Sequence, residues 1–234
     1  MSILVSDAPS PNFNERPSGA AIDILLLHYT GMMSAEDALD RLTDPDAKVS
    51  AHYLVDEDGA TFAMVAEKDR AWHAGVSYWA EETDVNARSI GIEIVNPGHD
   101  LGYRDFPEAQ MAAVIALCRE ILSRHAIPAH RVLGHSDVAP TRKQDPGERF
   151  DWPRLAAAGI GLYPPDNLTA LGPPDAGAFR DELARFGYGF SDDPKGDAAL
   201  TAFRRHFRPD HLCGPVDGTD AARLDWLLGA AADS

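Results

Sequence analysis

The chain has 234 residues, 44% apolar and 25% charged, with a formal net charge of −16. That size and apolar share suit a soluble globular protein with one larger domain and a smaller appendage. The acid excess excludes a nucleic-acid binder, which needs clustered Lys and Arg against phosphates, and disfavours adhesion to anionic membranes or wall polymers. An anionic substrate must therefore be met by a few locally placed cations. Cys118 and Cys213 lie far apart with no CxxC spacing and read as buried free thiols rather than a disulfide framework. Residues 1–7 lack the basic and apolar regions of a leader, and the early apolar run 24–27 is too short to span a bilayer. This favours a cytoplasmic protein without membrane insertion; a periplasmic one is the alternative if a leader has been removed.

In chain order, residues 8–20 form a turn-rich lead-in. Residues 22–28 are a short β-compatible apolar run, consistent with a strand buried on both faces. His28 stands at its carboxyl end, where α/β sheets usually carry their chemistry. Ser34 caps an expected helix reaching about residue 42. Residues 52–55 and 61–65, joined by Asp58-Gly59, read as a β-hairpin, and a loop holding Trp72-His73-Ala74-Gly75 and Tyr78-Trp79 follows. Residues 89–96 alternate as a strand, with Ile90, Ile92 and Ile94 on one face and Gly91, Glu93 and Val95 on the other. Between 107 and 125, Met111, Val114, Ile115, Cys118, Ile121 and Leu122 recur at three and four, one face of an amphipathic helix.

Val132-Leu133 then lead as a strand into residues 133–152, whose prolines and glycines exclude a helix interior and imply a rigid loop presenting polar side chains. Asp151 can cap a short helix to about residue 158, with Pro153 tolerated in its first turn. Residues 161–177, carrying Pro164, Pro165, Pro173 and Pro174, read as a linker. Three short helical patterns follow at 179–186, 198–207 and 219–228. The expected fold is α/β, a mixed and partly parallel central sheet flanked by helices, followed by a small three-helix module.

A hydrolytic zinc site takes three protein ligands and leaves one position open. His28 and His135, each at a strand end, and Asp145 in the following loop are the available set. Glu93 sits between Ile92 and Ile94 on a buried-looking strand. It either pairs with a cation such as Arg88 or, beside a metal, serves as general base. Lys143 is either solvated surface or a charge placed on an oxyanion. His73, His99, His125 and His130 read as surface or hydrogen-bonded core histidines. Ser136 and Asp137, adjacent to His135 on what reads as a strand, point to opposite faces and make poor triad partners. Trp152 and Trp226 read as core.

Leu27-His28-Tyr29-Thr30, Trp72-His73-Ala74-Gly75, Ser89-Ile90-Gly91-Ile92-Glu93-Ile94, Gly134-His135-Ser136-Asp137 and Arg142-Lys143-Gln144-Asp145-Pro146-Gly147 occur in the order found in a known family. Over roughly residues 8–160 the chain resembles the zinc-dependent N-acetylmuramoyl-L-alanine amidases of the amidase type-2 and peptidoglycan-recognition superfamily. The resemblance implies zinc on His28, His135 and Asp145, with Glu93 and Lys143 catalytic. Some superfamily members use a Tyr before the hairpin-strand His; here Ala51 precedes His52, which resembles the Glu-using branch. Trp72 and Arg142 match positions that contact sugar and peptide in relatives, Arg142 being suited to hold a peptide carboxylate. Asn86 and Arg88 are further groove candidates without an assigned role. Residues 203–209 and 214–218 are similar to helical peptidoglycan-binding modules.

The resemblance thus implies a zinc amidase domain at 1–160, a linker at 161–177 and a peptidoglycan-binding-like module at 178–234. The implied reaction cleaves the amide between the N-acetylmuramic acid lactyl group and L-alanine in muropeptides or peptidoglycan. A non-catalytic peptidoglycan-binding or sensing protein is the alternative, and a zinc enzyme cleaving another amide a third. The presence of all three ligands with Glu93 and Lys143 favours the enzyme.

Overall fold

The computed structural model describes residues 4–232; residues 1–3, the start of the segment read above for a leader, lie outside it. Its strands are β1 (Val5–Asp7), β2 (Phe13–Glu15), β3 (Ile24–Tyr29), β4 (Tyr53–Val55), β5 (Thr61–Ala63), β6 (Asp69–Ala71), β7 (Ser89–Ile94) and β8 (Val132–Gly134). Its helices are α1 (Ala35–Thr43), α2 (Val85–Arg88), α3 (Gly98–Leu101), α4 (Glu108–Arg124), α5 (His135–Val138), α6 (Trp152–Ala157), α7 (Ala176–Phe186), α8 (Asp197–Phe207) and α9 (Gly218–Ala232). Among the described residues, one sheet runs in the order β1-β5-β4-β7-β3-β8 and a two-stranded ribbon pairs β2 with β6. Strands β4, β7, β3 and β8 are mutually parallel, while β5 is antiparallel to β4. The mixed sheet and the helical tail are as the sequence implies; none of the described helices is long and apolar enough to cross a membrane.

The central strand carries apolar side chains on both faces because both faces are covered. Leu25 and Leu27 of β3 join Ile90, Ile92 and Ile94 of β7 against the α4 stripe Met111, Val114, Cys118 and Ile121. The opposite face, Ile24 and Leu26 of β3 with Leu133 of β8, packs on Phe179, Phe203, Phe207 and Leu227 of the tail helices. At about 1.5–3 kcal/mol for each large apolar side chain removed from water, both layers stabilise the sheet. The tail and the sheet therefore share one core. The segment 161–175 forms neither helix nor strand but is pinned at both ends. Tyr163 packs on the two cores, Leu171 donates its N–H to Gly218 O (2.9 Å), and Asp175 caps α7.

Helix boundaries follow local chemistry. Ser34 accepts from Asp37 N at the start of α1, and Asp151 accepts from Arg154 N at the start of α6, as the cap residues suggested. The stretch 133–152 departs from expectation, since α5 is one helical turn within it. Residues 135–138 contain neither Pro nor Gly, and the turn stops short of Pro140. His135, Ser136 and Asp137 therefore lie on a helical turn, so the strand argument against their cooperation does not apply. The lead-in supplies β2 and the Trp72 loop is preceded by β6, a pair of three-residue edge strands too short to show a period. Cys118 is buried as expected but Cys213, in the loop between α8 and α9, is exposed.

Within the tail, the residues resembling a glycan-binding module serve internal contacts. Arg204, fully buried, reaches Asp220 Oδ2 at 2.6 Å and the carbonyls of Gly214 and Pro215 at 2.8 Å, and Arg208 reaches Asp217 and Asp220. Removing one member of a buried pair leaves the other's charge uncompensated. Asp220→Ala is expected to cost about 3–5 kcal/mol, read as a lower urea midpoint. An unchanged midpoint would show that the pair contributes nothing to stability.

Candidate metal centre

The register of the parallel strands gathers the polar groups. His28 stands level with Glu93 across the β3–β7 pair, and Leu27 stands level with Gly134 of β8, one residue before His135. Along β3 the alternation that buries Ile24 and Leu26 on the tail side points His28 the same way. The loop after α5 folds back so that Ser136 N donates to Asp145 O at 2.9 Å, bringing the Asp145 carboxylate over the strand ends. The Asp145–Pro146 bond is cis.

His28 Nδ1, His135 Nδ1 and Asp145 Oδ2 form a near-equilateral triangle: 2.9 Å between the imidazoles and 3.1 and 3.0 Å from each to the carboxylate. All three residues are buried, and they are the one group of this kind with metal-ligand spacing among the described residues. A tetrahedral zinc with bonds of about 2.0–2.1 Å sets ligand atoms about 3.3 Å apart, so the triangle is close to that size and two nitrogens with one carboxylate oxygen suit zinc.

Hydrogen bonds behind the imidazoles fix which nitrogen is free. His135 Nε2 lies 2.9 Å from Ala74 O, which only accepts, so Nε2 carries the hydrogen and Nδ1 its lone pair. The Ser89 hydroxyl donates to Val85 O at 2.6 Å, leaving its oxygen to accept from His73 Nε2 at 3.3 Å. His73 Nδ1 must then accept from His28 Nε2, 3.0 Å away, which turns the bare Nδ1 of His28 to the triangle. Burial, and then the neighbouring His135, push the His28 pKa down to about 4, and burial drives His73 well below its usual value. Two neutral imidazoles and one carboxylate is the protonation state a divalent metal requires.

Gly91 keeps this chain in place. A Cβ there would come within 2.6 Å of the His73 ring, and His52 Nδ1 accepts from the Gly91 N–H at 2.9 Å. Asn86 is buried and its Oδ1 accepts from His73 N and Ala74 N (3.1 and 2.8 Å), holding both residues that position the ligands. His73 read from sequence as an ordinary histidine; the one signal for its role was its place in the Trp72-His73-Ala74-Gly75 motif.

Glu93, Lys143, Trp72 and Arg142 line the cleft of about 340 Å³ above the triangle. Glu93 is half-buried, and its buried Oε2 has no hydrogen-bond partner among the described residues. Desolvation, followed by the nearby Asp145 charge, raises its carboxyl well above the usual value, with Lys143 opposing. The pairing of Glu93 with Arg88 does not occur: Arg88 is tied to Asp23 and Glu82 at the other end of β7. Neither Asn86 nor Arg88, the two further groove candidates, lines this cleft: Asn86 holds backbone N–H groups and Arg88 pairs with Asp23 and Glu82. Trp72 is oriented by its Nε1 donating to Asn14 Oδ1 at 2.7 Å. The Arg142 guanidinium donates to Ala74 O (3.1 Å) and Val76 O, so part of its donor set is already used.

The raised carboxyl makes a stability statement. The unfolded Glu93 titrates near its ordinary 4.5 and the folded one higher, so the folded chain binds the extra proton and loses stability as pH rises through that interval. In metal-free protein, Glu93→Gln is therefore expected to raise Tm at pH 7 relative to wild type and to lose that advantage near pH 4. An equal Tm difference at both pH values would show that the carboxylate carries no burial penalty.

The comparisons agree with this geometry. The family described as N-acetylmuramoyl-L-alanine amidase matches residues 18–148. The N-acetylmuramoyl-L-alanine amidase AmiD of Escherichia coli (strain K12) is 36% identical over 230 residues, covering 88% of this chain and 82% of its own length. The 1,6-anhydro-N-acetylmuramyl-L-alanine amidase AmpD of Salmonella typhimurium (strain SL1344) is 38% identical over 167 residues, 64% of this chain and 87% of its own. The structure of AmiD from E. coli in complex with anhydro-N-acetylmuramic acid-L-Ala-D-gamma-Glu-L-Lys superimposes with a TM-score of 0.82 at 31% identity, covering 95% of this chain and 99% of that one.

Proposed function

This chain belongs to the N-acetylmuramoyl-L-alanine amidase family, and from that premise we propose that it is a zinc-dependent amidase cleaving the bond between the muramic lactyl group and L-alanine of muropeptides. The observation that carries the reading is the buried His28–His135–Asp145 triangle with an unpartnered Glu93 oxygen in the same cleft. Relatives named for that amide, one of them in complex with an anhydro-muropeptide, support the substrate class.

Held by His28, His135 and Asp145, zinc would supply Lewis acidity that lowers the pKa of the attacking water and polarises the scissile carbonyl. Glu93, whose side chain lines the same cleft, takes the proton from that water as the oxygen attacks the amide carbon. Its raised basicity suits the task, because a general base works best with a pKa near the working pH. Lys143, also lining the cleft, sets a positive charge where the carbonyl oxygen becomes negative. The carbon–nitrogen bond then breaks and Glu93 returns the proton to the departing L-alanine amine. His73 and Ala74 O keep the ligand imidazoles in one tautomer throughout. Against a chain of net charge −16, Lys143 and Arg142 are the local cations an anionic muropeptide meets.

The reading separates from a binding-only protein by pairing metal content with turnover. Wild type should hold one zinc per chain and release free sugar and peptides headed by L-alanine, and His135→Ala should lose both. Glu93→Gln should keep its zinc while turnover falls about 10²–10⁴-fold, and Lys143→Met should lose about 10²–10³-fold. A metal-free wild type that binds muropeptide without cleaving it would sink the amidase reading.

A further inference from the structure

The turn α5, which carries the ligand His135, is only four residues long. A single helical turn does not hold itself, since nucleation costs more than one turn of hydrogen bonds returns. Its bracing comes from Asp137, a carboxylate 1% exposed and two residues after His135. Asp137 Oδ2 accepts from the N–H of Gly134, the residue before His135, at 2.8 Å. The same oxygen accepts from His206 Nδ1 at 2.7 Å, and Oδ1 accepts from the Tyr188 hydroxyl at 2.7 Å. Tyr188 and His206 belong to the helical tail, 51 and 69 residues downstream.

Both tail groups are rigidly seated. The His206 ring stacks on Trp152 and on Phe207, with centroids 3.7 and 3.8 Å away, and the Tyr188 ring stands edge-on to Trp79 at 5.0 Å. Val138, the last residue of α5, and Leu133 just before it lie in the core that holds Phe203 and Phe207. A buried charge bonded to rigid partners has one low-energy position, because any shift leaves it desolvated and unsatisfied. Neither Tyr188 nor His206 lines the cleft or joins the ligand triangle.

We propose that the helical tail is a positioning element of the metal centre, with Tyr188 and His206 gripping Asp137 so that α5 presents His135 Nδ1 to His28 and Asp145. The proposal rests on the zinc reading above. Outer partners of this kind typically change metal affinity about 10–100-fold.

The test measures the zinc dissociation constant of full-length protein by chelator competition, alongside Tm, for His206→Leu, His206→Asn and Tyr188→Phe. Leu227→Ala, a fully buried change in the same tail core that leaves Asp137 untouched, serves as the stability control. His206→Leu is expected to weaken zinc binding about 10–100-fold. His206→Asn, whose amide can donate from the Nδ1 position, should recover most of the loss. Tyr188→Phe keeps the ring in the core and, should His206→Leu fail to fold, carries the test by itself through weaker binding. Leu227→Ala should lower Tm with zinc affinity unchanged. If the gripping variants lower Tm as Leu227→Ala does but bind zinc as wild type, the tail serves folding only and the proposal is overturned. A wild type that takes up no zinc would instead refute the underlying reading.

Discussion

Everything at the site depends on the register of two parallel strands. Because β3 and β7 pair with His28 level with Glu93, a candidate metal ligand and a carboxylate of separate sequence motifs emerge at the same height. The β8 pairing then delivers His135 one residue beyond its own strand end. A shift of one residue in either pair would turn a polar group into the α4-facing core and an apolar one into the cleft. The core on each side of the sheet, filled by α4 and by the tail, enforces that register. Packing energy spread over many apolar residues thus fixes a contact between a few polar ones.

What that register gathers would be unstable without a metal or a network behind it. Three electron-rich atoms lie about 3 Å apart in a buried setting. The structure meets this by assigning each imidazole hydrogen to a partner outside the triangle, Ala74 O in one case and the His73–Ser89–Val85 chain in the other. Glu93 stands apart from this arrangement, its Oε2 kept buried without a hydrogen-bond partner among the described residues. Such an oxygen costs stability and keeps basicity, a compromise found at functional sites rather than in cores.

Much of this was written locally. The alternation of 89–94, the period of 108–124 and the Asp58-Gly59 turn each announce an element whose residues are neighbours in sequence, and the ligands stand in compact motifs. What stayed hidden depends on distance along the chain. His73 resembles any other histidine until β7 places Gly91 under its ring. Arg88 looks available to Glu93 until Asp23, 65 residues away, claims it. The short strands β1, β2 and β6 have no period to read, and a turn of helix between prolines and glycines resembles a loop. The likeness of 203–209 and 214–218 to a glycan-binding module includes residues that the fold uses for internal ion pairs.

The grip on Asp137 also has a consequence in time. A chain made from its amino end at about 5–20 residues per second finishes His28, Glu93 and Asp145 well before His206. The partners of Asp137 follow it by 51 and 69 residues, an interval of several seconds. During that interval the turn that carries His135 has only its local bonds, from Gly134 N to Asp137 and from Ser136 N to Asp145 O. On the proposal above, the candidate ligand His135 gains its two tail anchors only once residues 188 and 206 have been made.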